Sequence, residues 1–254
     1  MTAARSAARR YASTLVVTAL LVAATSWYAP MPAAAAPGVE GMTVFLDPGH
    51  AGINSAAYNT QQVPNGRGGT KDCQTTGTQT AQGYPEHAFT WDVTLRIRAG
   101  LTALGVRSAM SRGDNASPGP CVDQRAAMAN ALAPDAIISI HADGGPPAGF
   151  GFHVNYSSPA LNPSQTQAVK LATTMRDTLI ADGLAAANYI GTQGLYGRAD
   201  IAGLNLAKYP AVLVELGNMR NPPEAAAMES AEGRQRYAAA VIDGIVAYLR
   251  ATSN

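Results

Sequence analysis

Apolar and polar positions along the chain switch between two periods, and each switch marks an element. Residues 42–46 form a short apolar run that stops at Asp47, Pro48 and Gly49, which predicts a buried strand. Over residues 87–104 the apolar positions Phe89, Val93, Ile97, Leu101 and Leu104 recur at helical spacing, and Gly105 suits the position just past a helix end. Residues 106–110 predict a second strand, 123–132 a helix closed by Pro134, and the β-branched run 136–140 a third strand. Phe152, Val154 and Tyr156 alternate along a fourth strand over 151–156, and a long amphipathic helix over 164–181 stops at Gly183. A short strand is expected at Leu195 and another over 211–216. A C-terminal helix over 231–249 then places Tyr237, Val241, Ile245 and Tyr248 on one face. Strands alternating with helices predict an α/β fold, a single domain with a twisted mixed β-sheet and helices packed on both faces. Residues 51–85 break the pattern. Rich in Gly, Thr, Gln and Asn and too long for an ordinary connection, they are expected to be functional or mobile.

The chain start adds a destination. Arg5, Arg9 and Arg10, with no acidic residue among them, precede a stretch over 15–24 that is apolar apart from Thr18. That is the layout of an export signal, and Ala33, Ala34 and Ala35 offer a small-residue cleavage site. Residues 1–35 are therefore read as a signal peptide and 36–254 as the working domain, exported to the periplasm, cell wall or exterior. The apolar stretch is too short to span a bilayer comfortably, so no membrane anchor is expected after cleavage. The Arg9–Arg10 pair also fits a twin-arginine signal. Loss of the three arginines turns the formal charge from +1 to about −2, which gives no electrostatic basis for nucleic-acid binding. With 47% hydrophobic residues and no repeat or charged tract, the chain can bury one core, and a monomer is expected. Cys73 and Cys121 are the only cysteines, and in an oxidising compartment an even count predicts a bridge. A role as metal ligands ranks below it, because other residues supply a ligand set.

Three predicted strands end in polar residues that a core does not need: Asp47 to His50 after the first, Ser139 to Asp143 around the third, and Glu215 in the last. In an open α/β sheet the carboxyl ends of strands share an edge where ligands bind, so His50, His141 and Glu215 can converge. Glu86, at the start of the first long helix, can reach the same edge. Two imidazoles and a carboxylate are the ligand set of a catalytic zinc, and a second carboxylate nearby can move protons. No H-E-x-x-H helix locks two ligands in register, so spacing alone leaves a metal site and half-buried structural side chains both open.

The surrounding residues carry a resemblance. Val44-Phe45-Leu46-Asp47-Pro48-Gly49-His50-Ala51-Gly52 resembles the opening motif of the zinc-dependent N-acetylmuramoyl-L-alanine amidases, in which that histidine binds metal. Glu86 matches the glutamate that begins the family's first helix. Arg112, Asp114, Arg125, Ala129 and Asn130 match further family positions. Ser139-Ile140-His141-Ala142-Asp143 is similar to the second histidine motif, and Pro210 to Gly217 with Asn221 to the segment holding the catalytic glutamate. The similarity runs from Thr43 to Tyr248. Asp143, Asn218 and His87 depart from the commonest family residues, and the interval from His50 to Glu86 is longer than usual. The family's site-plugging helix has no clear equivalent.

The resemblance implies one Zn2+ per chain on His50, Glu86 and His141, with Glu215 as catalytic acid and base. It implies a peptidoglycan or muropeptide substrate, cut at the amide between the lactyl group of N-acetylmuramic acid and L-alanine. Asp47 and Ser139 are expected to orient the imidazoles, Arg112, Asp114 and Arg125 to tie loops together, and His153 to be a structural, exposed or half-buried histidine. His87, adjacent to Glu86 on a helix, should point about 100° away from it. No G-x-S-x-G elbow occurs, which leaves serine hydrolysis without support. Two rivals are a peptidoglycan-binding protein without catalysis and a zinc peptidase cutting another amide.

Overall fold

The strands align into one sheet around three short runs rich in β-branched and apolar residues, 43–48, 136–143 and 211–218, each of which is paired on both edges. The computed structural model describes residues 38–253; the expected export signal and its cleavage site lie outside the described residues. In chain order the elements are β1 (Thr43–Pro48), α1 (Ala56–Asn59), β2 (Gln62–Pro64), β3 (Thr70–Asp72), α2 (Glu86–Ala103), β4 (Arg107–Met110), α3 (Val122–Leu132) and β5 (Ala136–Asp143). They continue with β6 (His153–Ser157), α4 (Pro163–Ala181), β7 (Leu195–Arg198), α5 (Ala202–Leu206), β8 (Ala211–Asn218), α6 (Pro222–Glu229) and α7 (Ala231–Thr252). The main sheet has the order β4-β1-β5-β8-β6-β7. β4, β1, β5 and β8 run parallel, β6 is antiparallel to β8, and β7 is parallel to β6, so the sheet is mixed.

Successive side chains of a strand point to opposite faces, and here the two faces differ. Val44, Leu46, Ile138, Ile140, Val212 and Val214 enter the larger core, roofed by α2, α4 and α7. From the helices come Phe89, Ile97, Met175 and Ile245, all fully buried, and each such side chain contributes about 1.5 to 3 kcal/mol by leaving water. The opposite face carries only Phe45, Ile137, Ala211 and Leu213 beneath α3 and α5. Two residues further along the same strands, on the same face, come Asp47, Ser139, His141 and Glu215. Period two thus turns one strand face from apolar to polar towards its carboxyl end.

Helix starts follow local chemistry. Asn162 and Asn221 each accept a backbone N–H of the first turn, with Pro163 and Pro222 at the position whose missing N–H costs nothing. Ser230 caps α7 in the same way. The strand expected over 151–156 begins at His153, and α5 and α6, too short for a periodic signal, were not expected.

The largest departure is residues 51–85, expected as an irregular loop. They contain α1 and an antiparallel β2–β3 hairpin, joined to α3 by the Cys73–Cys121 disulfide, whose partners are 48 residues apart. At the hairpin tip Arg67 donates to Asn205 Oδ1, Ser157 Oγ and the Pro159 carbonyl at 3.0, 3.0 and 2.7 Å. These non-local bonds explain why a Gly- and Thr-rich segment without hydrophobic periodicity is nonetheless built. Among the described residues no helix is long and apolar enough to cross a membrane.

Candidate metal centre and active site

The segment after β1 makes a sharp turn whose shape is set by what it approaches. Gly49 lies against the His141 imidazole so closely that a Cβ there would fall 2.4 Å from a ring carbon. His50 then takes a left-handed φ of 61°, a conformation unusual for a residue with a side chain and sustained only when the surroundings enforce it. Arg125 enforces it. Its Nη1 donates to Asp47 Oδ1 at 2.7 Å and to the Pro48 carbonyl at 2.8 Å, while its Nη2 donates to the His50 carbonyl at 2.7 Å. Arg112 donates to the Pro48 and His87 carbonyls and stacks on Trp91 with 4.9 Å to the ring centre.

Asp47 anchors the same network and accepts from Ser111 and Ser139 at 2.6 and 2.7 Å. Burial pushes its pKa up, but Arg125 and the two hydroxyls outweigh burial and hold it at about 2. Asp47 and Ser139 therefore shape the backbone of the turn and do not bond the imidazoles, which corrects the role expected for them. The group that does orient His50 is the carbonyl of Thr75, which accepts from Nδ1 at 2.8 Å.

With Nδ1 so engaged, Nε2 of His50 faces Glu86 Oε2 at 2.9 Å, and His141 Nδ1 faces Glu86 Oε1 at 3.0 Å. Glu86 is the first residue of α2, where the helix end favours a carboxylate, and it also accepts the backbone N–H groups of Thr78 and Ala142. Burial disfavours its charge, yet His50 and His141 more than offset that and hold its pKa well below the ordinary carboxylate range. For His50, burial lowers the pKa and the Glu86 carboxylate outweighs it, so the net shift is upward. Space at the site is tight. A Cβ on Gly77, whose φ is 79°, would come within 2.8 Å of Glu86 Oε2 and 2.9 Å of the His50 ring.

His50, Glu86 and His141 thus offer two ring nitrogens and a carboxylate oxygen within 4.8 Å of one another. Two ligands at 2.0–2.1 Å from a tetrahedral zinc are themselves about 3.3 Å apart, close to the separations here. Two imidazole nitrogens and a carboxylate oxygen gathered this closely are a donor set that fits a metal ion.

Glu215 stands beside this group, paired in register with His141 on β5 and with His153 on β6. Its Oε2 is buried and has no hydrogen-bond partner. Burial, then Glu86 and Asp143, push its pKa well above the ordinary value. All four residues line one cavity of about 440 Å³ that runs between α3 and α5 along the thinner sheet face.

Residues 44–247 match the family model described as N-acetylmuramoyl-L-alanine amidase. The chain belongs to this amidase family. It is 58% identical over 235 residues to the N-acetylmuramoyl-L-alanine amidase Rv3717 of Mycobacterium tuberculosis, covering 92% of this chain and 97% of that one. Among solved structures, the N-acetylmuramyl-L-alanine amidase Ami1 of Mycobacterium smegmatis is 62% identical with a TM-score of 0.84, covering 85% of this chain and all of that one. Ami1 of Mycobacterium abscessus is 60% identical with a TM-score of 0.82, covering 83% of this chain. The chain is accordingly a peptidoglycan amidase, acting at the bond between the lactyl group of N-acetylmuramic acid and L-alanine.

Other candidate residues of the amidase fall outside the ligand group. His87 points to Asn115 at 3.0 Å, on the far side of Arg112. Asp114 accepts the backbone N–H groups of Ala116 and Ser117 and shapes its own loop. His153, expected to be exposed or half-buried, is 2% exposed, and its Nε2 lies 3.4 Å from Asp143 Oδ2. Its ring stands edge-on to that of Tyr196 on β7, with 6.2 Å between ring centres, and it is paired in register with Glu215 on β8. Thr75, Gly77 and Arg198 were not read from the sequence. Thr75 and Gly77 sit in a polar run with no period, and Arg198 is more than fifty residues from either histidine motif.

Proposed function

We propose that this amidase works with one zinc ion held by His50, Glu86 and His141, and that Glu215 moves the protons. The observation that carries the proposal is the placement of Glu86 between two imidazoles, with a second, unpartnered carboxylate oxygen on Glu215 beside them. A bound zinc would supply Lewis acidity to the lactyl carbonyl and to the attacking water. The protein does the rest. The Thr75 carbonyl keeps the His50 ring in one tautomer and orientation, and the Thr78 and Ala142 N–H groups keep Glu86 ionised and aimed.

Glu215 takes a proton from water as the water oxygen bonds to the carbonyl carbon. The C–N bond then breaks, and the same proton passes from Glu215 to the L-alanine nitrogen. Burial and the nearby Glu86 and Asp143 carboxylates raise the Glu215 pKa, which makes its carboxylate a stronger base towards the water, and the proton is delivered as the C–N bond breaks. The products are a glycan with a free lactyl carboxylate and a stem peptide with a free L-alanine amino terminus.

Product analysis on muropeptides tests this reading. The expected outcome is a new L-alanine amino terminus whose release stops on chelation and returns with zinc, while the fold persists. A cut within the peptide would make the chain a zinc peptidase instead, and release of nothing would make it a binding protein. Residues 1–35 are proposed to be removed on export, leaving a domain over 36–254. Amino-terminal sequencing of exported protein checks that assignment, with a start near Ala36 expected and retention of Arg5 contradicting it.

A further inference from the structure

The order of groups across the sheet matches an order along the substrate, given the amidase reaction on which this inference rests. β1 and β5 carry the turn with His50 and the strand with His141; β8, the next strand, carries Glu215; β7, at the sheet edge, carries Arg198. The scissile carbonyl belongs at the histidines and the departing nitrogen at Glu215, so the released peptide continues towards β7. Neighbouring strands are about 4.8 Å apart, so β7 lies about 10 Å beyond β8, a gap that an arginine side chain can reach back across. Arg198 lines the same cavity as Glu215.

Arg198 is held ready. Asp200 accepts from its Nε at 2.7 Å and its Nη2 at 2.5 Å, and the Tyr196 ring lies beneath the guanidinium, 4.8 Å from its centre. Asp200 takes only the Nε side of the fork. The Nη1 end has no hydrogen-bond partner among the described residues. By contrast Arg125, the other arginine lining the cavity, is spent on Asp47, Pro48 and His50. Proximity is also electrostatic: Arg198 is the cation that opposes the rise in the Glu215 pKa. A stacked guanidinium with a free end is the arrangement that binds a carboxylate through two parallel hydrogen bonds. In peptidoglycan the residue after L-alanine is D-glutamate linked onward through its side chain. Its α-carboxyl group, free or amidated, therefore lies one residue, about 3.8 Å between α-carbons, beyond the alanine.

We infer that Arg198 is a specificity-determining residue that grips the α-carboxylate of the D-glutamate in the departing peptide, favouring stems in which that group is free over stems in which it is amidated. Calorimetry with the released dipeptide, as L-alanyl-D-glutamate and as its α-amide, reads this without depending on turnover. The wild-type protein should bind the acid about tenfold or more tightly than the amide. Arg198→Ala should erase that difference, and Arg198→Lys, which keeps the charge but not the fork, should keep only part of it. With the matched muramyl dipeptides the same preference should appear in KM. Equal wild-type affinity for acid and amide, or a preference that survives in Arg198→Ala, would overturn the inference, and the wild-type comparison stands even if a variant fails to fold. Failure of the amidase reading would look different, as muropeptides from which the wild type releases no L-alanine terminus.

Discussion

The two faces of the sheet divide the protein's tasks. On the face under α2, α4 and α7 the central strands present Val44, Leu46, Ile138, Ile140, Val212 and Val214, and helix side chains fill the space over them. On the face under α3 and α5 the apolar row of Phe45, Ile137 and Leu213 gives way to Asp47, Ser139, His141 and Glu215, and an open cavity runs along it. Desolvation is common to both. One face uses it for stability; on the other it raises the pKa of both glutamates, outweighed at Glu86 by His50 and His141 and reinforced at Glu215 by the neighbouring carboxylates. A thick core on one side is what lets the other side remain under-packed.

The comparison predicts a ranked set of effects. Ile97→Ala, in α2 on the thick face, should lower unfolding free energy by about 2 to 5 kcal/mol, read by denaturant titration, with turnover per folded molecule unchanged. Leu213→Ala, on the thin face, should cost less, because the vacated space opens to a cleft that water can enter; an equal loss would erase the distinction between the faces. Replacing Cys73 and Cys121 together with serine should lower stability by about 2 to 4 kcal/mol, and the same fall in Tm should follow reduction of the wild type.

Acid should act through Asp47, whose folded pKa of about 2 lies below its ordinary 3.8. A group with a depressed folded pKa stabilises fully above its unfolded value and progressively less as pH falls through the folded one. Its contribution, about 2 kcal/mol, should therefore be complete above pH 5 and be lost between about pH 4 and 2. Asp47→Asn should flatten that part of the stability profile, and an unchanged slope would contradict the assignment. The smallest effect is expected at Leu95, 40% exposed on the same helix as Ile97, where Leu95→Ala should shift stability by no more than about 0.5 kcal/mol.

Which parts of this division the sequence discloses follows from how each is encoded. The strands and long helices are legible because period two and period 3.6 are local, and the apolar-to-polar change at Asp47, Ser139 and Glu215 can be read off single strands. His50 and Glu86 are legible because each sits at an element boundary, and His141 because it interrupts the apolar run of its strand near the carboxyl end. The hairpin in residues 51–85 is not, since it is secured by Arg67 to residues ninety and more positions away and by a disulfide. Thr75 acts through its carbonyl, which every residue has, so no side chain announces it. Arg198 gains meaning only when the topology places β7 beyond β8.

The central claim is that two glutamates lining the same cavity as the histidines have different tasks, Glu86 binding the metal and Glu215 moving protons. Zinc content measured alongside muropeptide turnover in Glu215→Gln tests it most directly, with Glu86→Gln as the counterpart that should lose zinc and activity together. Glutamine keeps the shape of Glu215 but cannot accept a proton. The account predicts zinc near one per chain and a Tm near wild type, with turnover down by about 10²- to 10⁴-fold, or roughly 3 to 5 kcal/mol of barrier. Turnover close to wild type, or loss of zinc from Glu215→Gln, would contradict it.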